Sequence, residues 1–168
     1  NILDHHPLNE SRRQRGLMPA NCVWFWAEGT AVQLPSFPEA FGHYGGVVSA
    51  VPLCHGIAVL TGLYPISVEG ATGETETNYE GKVQAAFDAL MAGDSFCALH
   101  LEGPDEATHN GNLEEKLLCI KYLDCRVTQP LCEKLDKAGE DYRILMLSDH
   151  KTLMSTRGHD GEPVPYLL

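Results

Sequence analysis

The chain has 168 residues, 43% of them hydrophobic and 21% charged, with 12 Lys and Arg against 23 Asp and Glu and a net charge of −11. This is one domain's length with enough apolar content for a buried core, which argues against a disordered chain. The acidic balance argues against nucleic acid or an anionic membrane as partner, and no apolar run approaches the roughly 20 residues of a membrane span; an anionic small substrate stays compatible if local cations or a bound metal hold it.

The chain begins at Asn1, without the form of a signal peptide, and so reads as a processed piece of something longer. Residues 1–21 are polar, with a helix-like patch at 10–15 stopped by Gly16. Residues 22–26 (CVWFW) read as a buried strand. Ser36 can cap a short helix carrying Pro38 in its first turn, residues 46–51 form a second strand, and 53–62 a helix. Residues 64–78, with Pro65, two glycines and several threonines, read as a long loop. The helical period of Val83, Ala86, Phe87 and Leu90 predicts a helix over 79–91. Residues 95–101 form a third strand and 103–111 a polar loop. A long helix follows over 113–137, with Pro130 as a kink. Residues 143–147 form a fourth strand and 164–168 an edge strand. Strands alternating with helices predict an α/β fold with a largely parallel sheet, all within one domain over 1–168.

The six cysteines form no CxxC pair and mostly sit in apolar runs. They read as reduced structural residues of a cytoplasmic protein.

Ligands of open α/β sheets gather at the carboxyl ends of the strands. Three segments rich in metal-ligating side chains fall there: Asp105 with His109 after the third strand, Asp149-His150 at the tip of the fourth, and His159 nine residues on. Any one Asp or His in a loop is ordinarily solvated or capping; what sets these apart is their common edge. Carboxylate and imidazole without thiolate suit Mn, Zn or Fe, and five ligands suit two metals sharing a cleft. His100, inside a strand, reads as a satisfied core histidine.

Several segments, taken in order, carry a resemblance. They are His6-Pro7-Leu8-Asn9 with Arg12 and Pro19-Ala20-Asn21; the stretch 45–62; Gly70-Ala71-Thr72-Gly73; Thr77-Asn78-Tyr79-Glu80-Gly81-Lys82; Pro104-Asp105-Glu106-Ala107 with His109; Ser148-Asp149-His150; and Arg157-Gly158-His159. The sequence resembles the archaeal-type, cofactor-independent phosphoglycerate mutases and their bacterial relatives labelled proposed homoserine kinases, within the alkaline phosphatase superfamily. The resemblance implies a three-layer sandwich with a largely parallel central sheet, incomplete at its N-terminus.

It also implies two divalent metal ions, Mn or Zn with Mg also compatible. Asp105, His109 and His159 match the ligands of one, and Asp149 and His150 two ligands of the other. Arg12 and Lys82 match residues facing the substrate's phosphate or carboxylate. The family's nucleophilic serine and a further Asp ligand belong to an N-terminal part that, with an inserted cover domain, is not in this chain. Ser148 is a poor substitute, because a residue beside a ligand at a strand end points the other way. Two departures stand out: Ser148 where Pro is common, and Asp160 where Thr is common, the latter adding negative charge beside the site.

The function expected is that of a mutase fragment. The parent would interconvert 3- and 2-phosphoglycerate through a metal-activated phosphoserine, and the isolated chain would be inactive. The alternatives are a metal-dependent phosphatase or phosphotransferase on another phosphoester, and a non-catalytic metal-binding module. A sheet lacking a strand would also favour self-association.

Overall fold

The computed structural model of the chain describes residues 2–26 and 28–168. They fall into two compact units, one ending at Gln33 and one spanning Leu34–Leu168.

In the first unit, helix α1 (Pro7–Gln14) begins where His6 caps it, the ring Nδ1 accepting from Leu8 N at 3.2 Å. Pro7 sits in the first turn, where a missing N–H leaves no bond unmade. Asn9 is buried and folds the following segment back onto the helix. Its Nδ2 donates to Leu3 O (2.7 Å) and Ala20 O (3.0 Å), and its Oδ1 accepts from Ala20 N (2.8 Å). Part of the resembling pattern at 6–21 thus has a structural reason. The strand expected at 22–26 does not form: these residues are irregular, with Trp24 and Phe25 86% and 92% exposed. A strand is stabilised by its ladder and by the face it buries, and the first unit offers no second strand among its described residues.

In the second unit, helix α2 (Phe37–Phe41) is capped by Ser36, as its spacing implied. Strand β1 (Gly45–Val48) is buried throughout and lies between β2 (Tyr64–Ile66) and β3 (Phe96–Leu99), both parallel to it. The register pairs Gly46 with Tyr64 and Gly45 with Phe96. Helix α3 (Pro52–Leu60) connects β1 to β2, and α4 (Tyr79–Met91) connects β2 to β3. With order β2-β1-β3, right-handed crossovers place these helices on opposite faces of the sheet. The long loop expected from residue 64 therefore begins as a sheet strand. Its pattern is too short and too rich in Pro to read as one.

Asn78 caps α4, its Oδ1 accepting from Gly81 N at 2.8 Å. The buried face of α4 carries Tyr79, Val83, Ala86 and Ala89, and Tyr79 and Val83 form the core with Val127, Leu99 and Leu131. The expected helix over 113–137 is three pieces: α6 (Leu113–Tyr122), a π-helical run (Leu123–Thr128) and α7 (Gln129–Ala138). Pro130 falls in the first turn of α7, where it cannot donate to the preceding turn, and the wider π spacing lies just before it. The π run turns Val127 inward and lays Arg126 over the Tyr79 ring, 4.5 Å from its centroid, while its guanidinium makes two 2.7 Å bonds to Glu80.

Two short antiparallel pairs complete the unit: β4 (Met146–Leu147) with β7 (Tyr166–Leu167), and β5 (Lys151–Leu153) with β6 (Gly158–Asp160). The fourth strand expected over 143–147 is thus only two residues long and does not join the parallel sheet. Among the described residues β3 pairs with β1 alone. Its residues line a cavity of about 1440 Å³ together with residues 140–153.

Candidate metal centre

The centre is built at the carboxyl end of β3. Residues 103–109 are not the polar loop expected but helix α5 (Gly103–His109). Pro104 sits in its first turn and Asp105 and Glu106 complement the helix dipole there. The helix brings Asp105 and His109, four residues apart, onto one face. The i, i+4 spacing was a helical signal that the polar-loop reading passed over. The β5–β6 hairpin approaches from the other side, with Thr152 paired to His159. His150 lies two residues before Thr152, so in extended chain the two share a face.

Asp105 is the hub. Its Oδ2 lies 3.1 Å from His109 Nε2 and its Oδ1 3.4 Å from His159 Nε2; the two ring nitrogens are 3.1 Å apart. The His150 ring stacks on His159 at 3.7 Å between centroids. Ligating atoms of Asp105, His150 and His159 all lie within 4.8 Å of one another. The residues expected on three separate segments are therefore gathered, His109 among them. Asp149 stands at the rim, its side chain mostly exposed, with Oδ2 3.3 Å from His150 Nε2.

The second contacts of the rings decide what these nitrogens can do. His109 Nδ1 is 2.7 Å from the carbonyl of Arg157, which can only accept, so Nδ1 carries a proton and Nε2 is the nitrogen turned to Asp105 and His159. Arg157 presents that carbonyl from a left-handed conformation, φ +54°, the only non-glycine residue with positive φ among those described. A tetrahedral ion with ligands at about 2.1 Å separates neighbouring ligands by about 3.4 Å. His109 Nε2 and His159 Nε2, 3.1 Å apart and 3.1 and 3.4 Å from Oδ2 and Oδ1 of Asp105, are spaced close to that, which suits a shared divalent cation. Negative charge also concentrates here: Glu102 carries a raised pKa through burial and through Glu106 and Asp105 beside it.

Thr152 was missed by the sequence reading. Its hydroxyl is hydrogen-bonded to Asp105 Oδ1 and lies 3.2 Å from His150 Nδ1. The one available signal was its position two residues after His150. Asp160 falls on the opposite side of β6 from His159, with Oδ1 accepting from Glu162 N at 2.9 Å, so its side chain turns away from the cluster it was expected to charge.

Of the other expected residues, Lys82 acts electrostatically on Glu102 and on His100. Lys82, on α4, is 1% exposed, and its Nζ donates to Thr72 O at 3.1 Å. Burial lowers its pKa against the opposing effect of Glu102. Arg12 belongs to the first unit, exposed on α1 with Nε donating to Met18 O at 2.7 Å. Ser148 is exposed after β4.

His100 closes the inner wall of the site as a satisfied side chain, Nδ1 3.1 Å from Ser49 Oγ. Burial, the largest influence on it, holds its pKa below the usual 6.5. Above that value both folded and unfolded chains hold it neutral. As pH falls below 6.5 the unfolded chain takes up the proton first, and stability is lost. Denaturation at about pH 7.5 and about pH 5.5 should show this loss in the wild type and a smaller one in His100→Asn; equal losses would remove His100 from the account.

The sequence pattern of the metalloenzyme superfamily matches residues 4–168. The chain belongs to the metalloenzyme superfamily. A 2,3-bisphosphoglycerate-independent phosphoglycerate mutase of Methanothrix thermoacetophila is 44% identical over 99% of this chain, which spans 42% of that protein. A protein of Geobacter sulfurreducens named as a probable enzyme of the same kind is 48% identical over 99% of the chain, and is spanned to 41%. A solved structure of a Pyrococcus horikoshii protein superposes with a TM-score of 0.76 at 30% identity, over 98% of this chain and 42% of that one. The chain thus spans about two fifths of the length of these relatives. Membership of a metalloenzyme superfamily and the Asp105, His150, His159 group agree in pointing to divalent metal. No helix among the described residues is long and apolar enough to cross a membrane.

Proposed function

We propose that this chain is the metal-binding, C-terminal part of a cofactor-independent phosphoglycerate mutase domain, working within a longer protein that interconverts 3- and 2-phosphoglycerate. The observation that carries the reading is the grouping of Asp105, His150 and His159, with His109 against Asp105 and His159, in a chain whose relatives bear the mutase name. Asp105, His109 and His159 would hold one divalent ion, Mn or Zn, and His150 with Asp149 a second. Such ions supply charge neutralisation of phosphate oxygens and activation of a hydroxyl nucleophile. The nucleophilic serine comes from outside this chain.

The fold supports the fragment reading. β3 leaves one edge unpaired beside the large cavity, and a strand from the remaining part of the domain would fill it. Without that strand the same edge favours self-association.

The test uses the longer protein carrying this chain, loaded with Mn and given 3-phosphoglycerate without 2,3-bisphosphoglycerate. Appearance of 2-phosphoglycerate by phosphorus NMR supports the proposal. Release of inorganic phosphate alone favours a phosphatase, and bound metal with no turnover of any phosphoester favours a non-catalytic module.

A further inference from the structure

We infer that Thr152 is a positioning residue of this centre: its hydroxyl links Asp105 to His150 and sets which nitrogen of His150 is free to bind metal. A hydroxyl has one proton and can also accept. The Asp105 carboxylate can only accept, so the Thr152 proton goes to Oδ1. His150 Nδ1, 3.2 Å from Thr152 Oγ1, must then donate to that hydroxyl oxygen. His150 Nε2, 3.3 Å from Asp149 Oδ2, is then the ring nitrogen that Thr152 does not engage. One hydroxyl thereby orients a carboxylate and an imidazole that come from different elements. The backbone holds Thr152 for this task through its hairpin partner His159 and through Lys116 Nζ, which donates to Thr152 O at 3.0 Å.

The inference rests on the metal reading above, and its test separates the two. In metal-free protein with nitrogen-labelled histidine, His150 Nδ1 should carry a proton in the wild type and in Thr152→Ser. In Thr152→Val, which keeps the shape and loses the hydroxyl, the Nε2–H form should gain population. Titration with Mn should then show affinity reduced by about 10- to 100-fold in Thr152→Val and largely restored in Thr152→Ser. Thr152→Ala reports the same loss if the valine variant does not fold. An unchanged tautomer in the variants lacking the hydroxyl overturns the inference, as does unchanged Mn affinity. If the wild type itself binds no Mn, the metal reading fails, and the tautomer result alone decides whether Thr152 positions His150.

Discussion

Asp105→Asn should all but abolish divalent-metal binding while leaving the chain folded. The substitution keeps the shape of the side chain. It removes the charge that His109 Nε2 and His159 Nε2 approach at 3.1 and 3.4 Å, and it can place an amide N–H where a cation would sit. Outer partners of metal sites carry about 10- to 100-fold in affinity, and a central ligand should carry more. Titration calorimetry with Mn and with Zn measures it directly. A thermal readout is independent: metal at about 100 times its dissociation constant stabilises a folded chain by about 2.7 kcal/mol, and a chelator removes that gain. The wild type should lose melting temperature in chelator and Asp105→Asn should not. A variant that binds and responds like the wild type would dissolve the centre as drawn.

Gly45→Ala should be among the most damaging single changes in the second unit, and for a reason unconnected with ligands. A Cβ at Gly45 would lie 1.7 Å from the backbone oxygen of Phe96, which is paired to it in the ladder and cannot move aside without opening β1 from β3. At Gly46 a Cβ would instead meet Ile66 Cδ1 at 2.3 Å and Tyr64 Cε2 at 3.1 Å, the ends of side chains that can turn. The expected costs are about 3 kcal/mol or more at Gly45 and about 1 kcal/mol at Gly46. For a chain of this size the first corresponds to a melting-temperature fall of about 6 to 12 °C. Equal falls in the two variants would show that the β1–β3 approach is not the constraint. The β1–β3 ladder also reaches the site, since His100 N bonds Val48 O at 2.9 Å and α5 begins shortly after. Gly45→Ala should therefore lower metal affinity as well.

Much of this was legible in the chain. The period of Val83, Ala86 and Leu90 marked α4, because a helix buries the same residues that repeat along it. Ser36 and Pro38 marked α2, because capping is a local bond between near neighbours. Asp105 and His109 after β3 pointed to the metal centre, because ligands of an α/β sheet gather at strand carboxyl ends, whereas Asp149-His150 and His159 reach it from outside the parallel sheet. What the sequence determined by itself was therefore local, periodic or topological. Other features depended on partners far along the chain. The run 22–26 has strand composition and no ladder, so it stays irregular. Residues 143–147 look like a sheet strand, but all save the last two lie outside any ladder. The links from Thr152 to Asp105, and from the Arg157 carbonyl to His109, join residues 47 and 48 positions apart. Only the tertiary structure decided those, because a hydrogen bond of about 3 Å is set by how helix α5 and the β5–β6 hairpin pack, and no pattern within either segment encodes that distance.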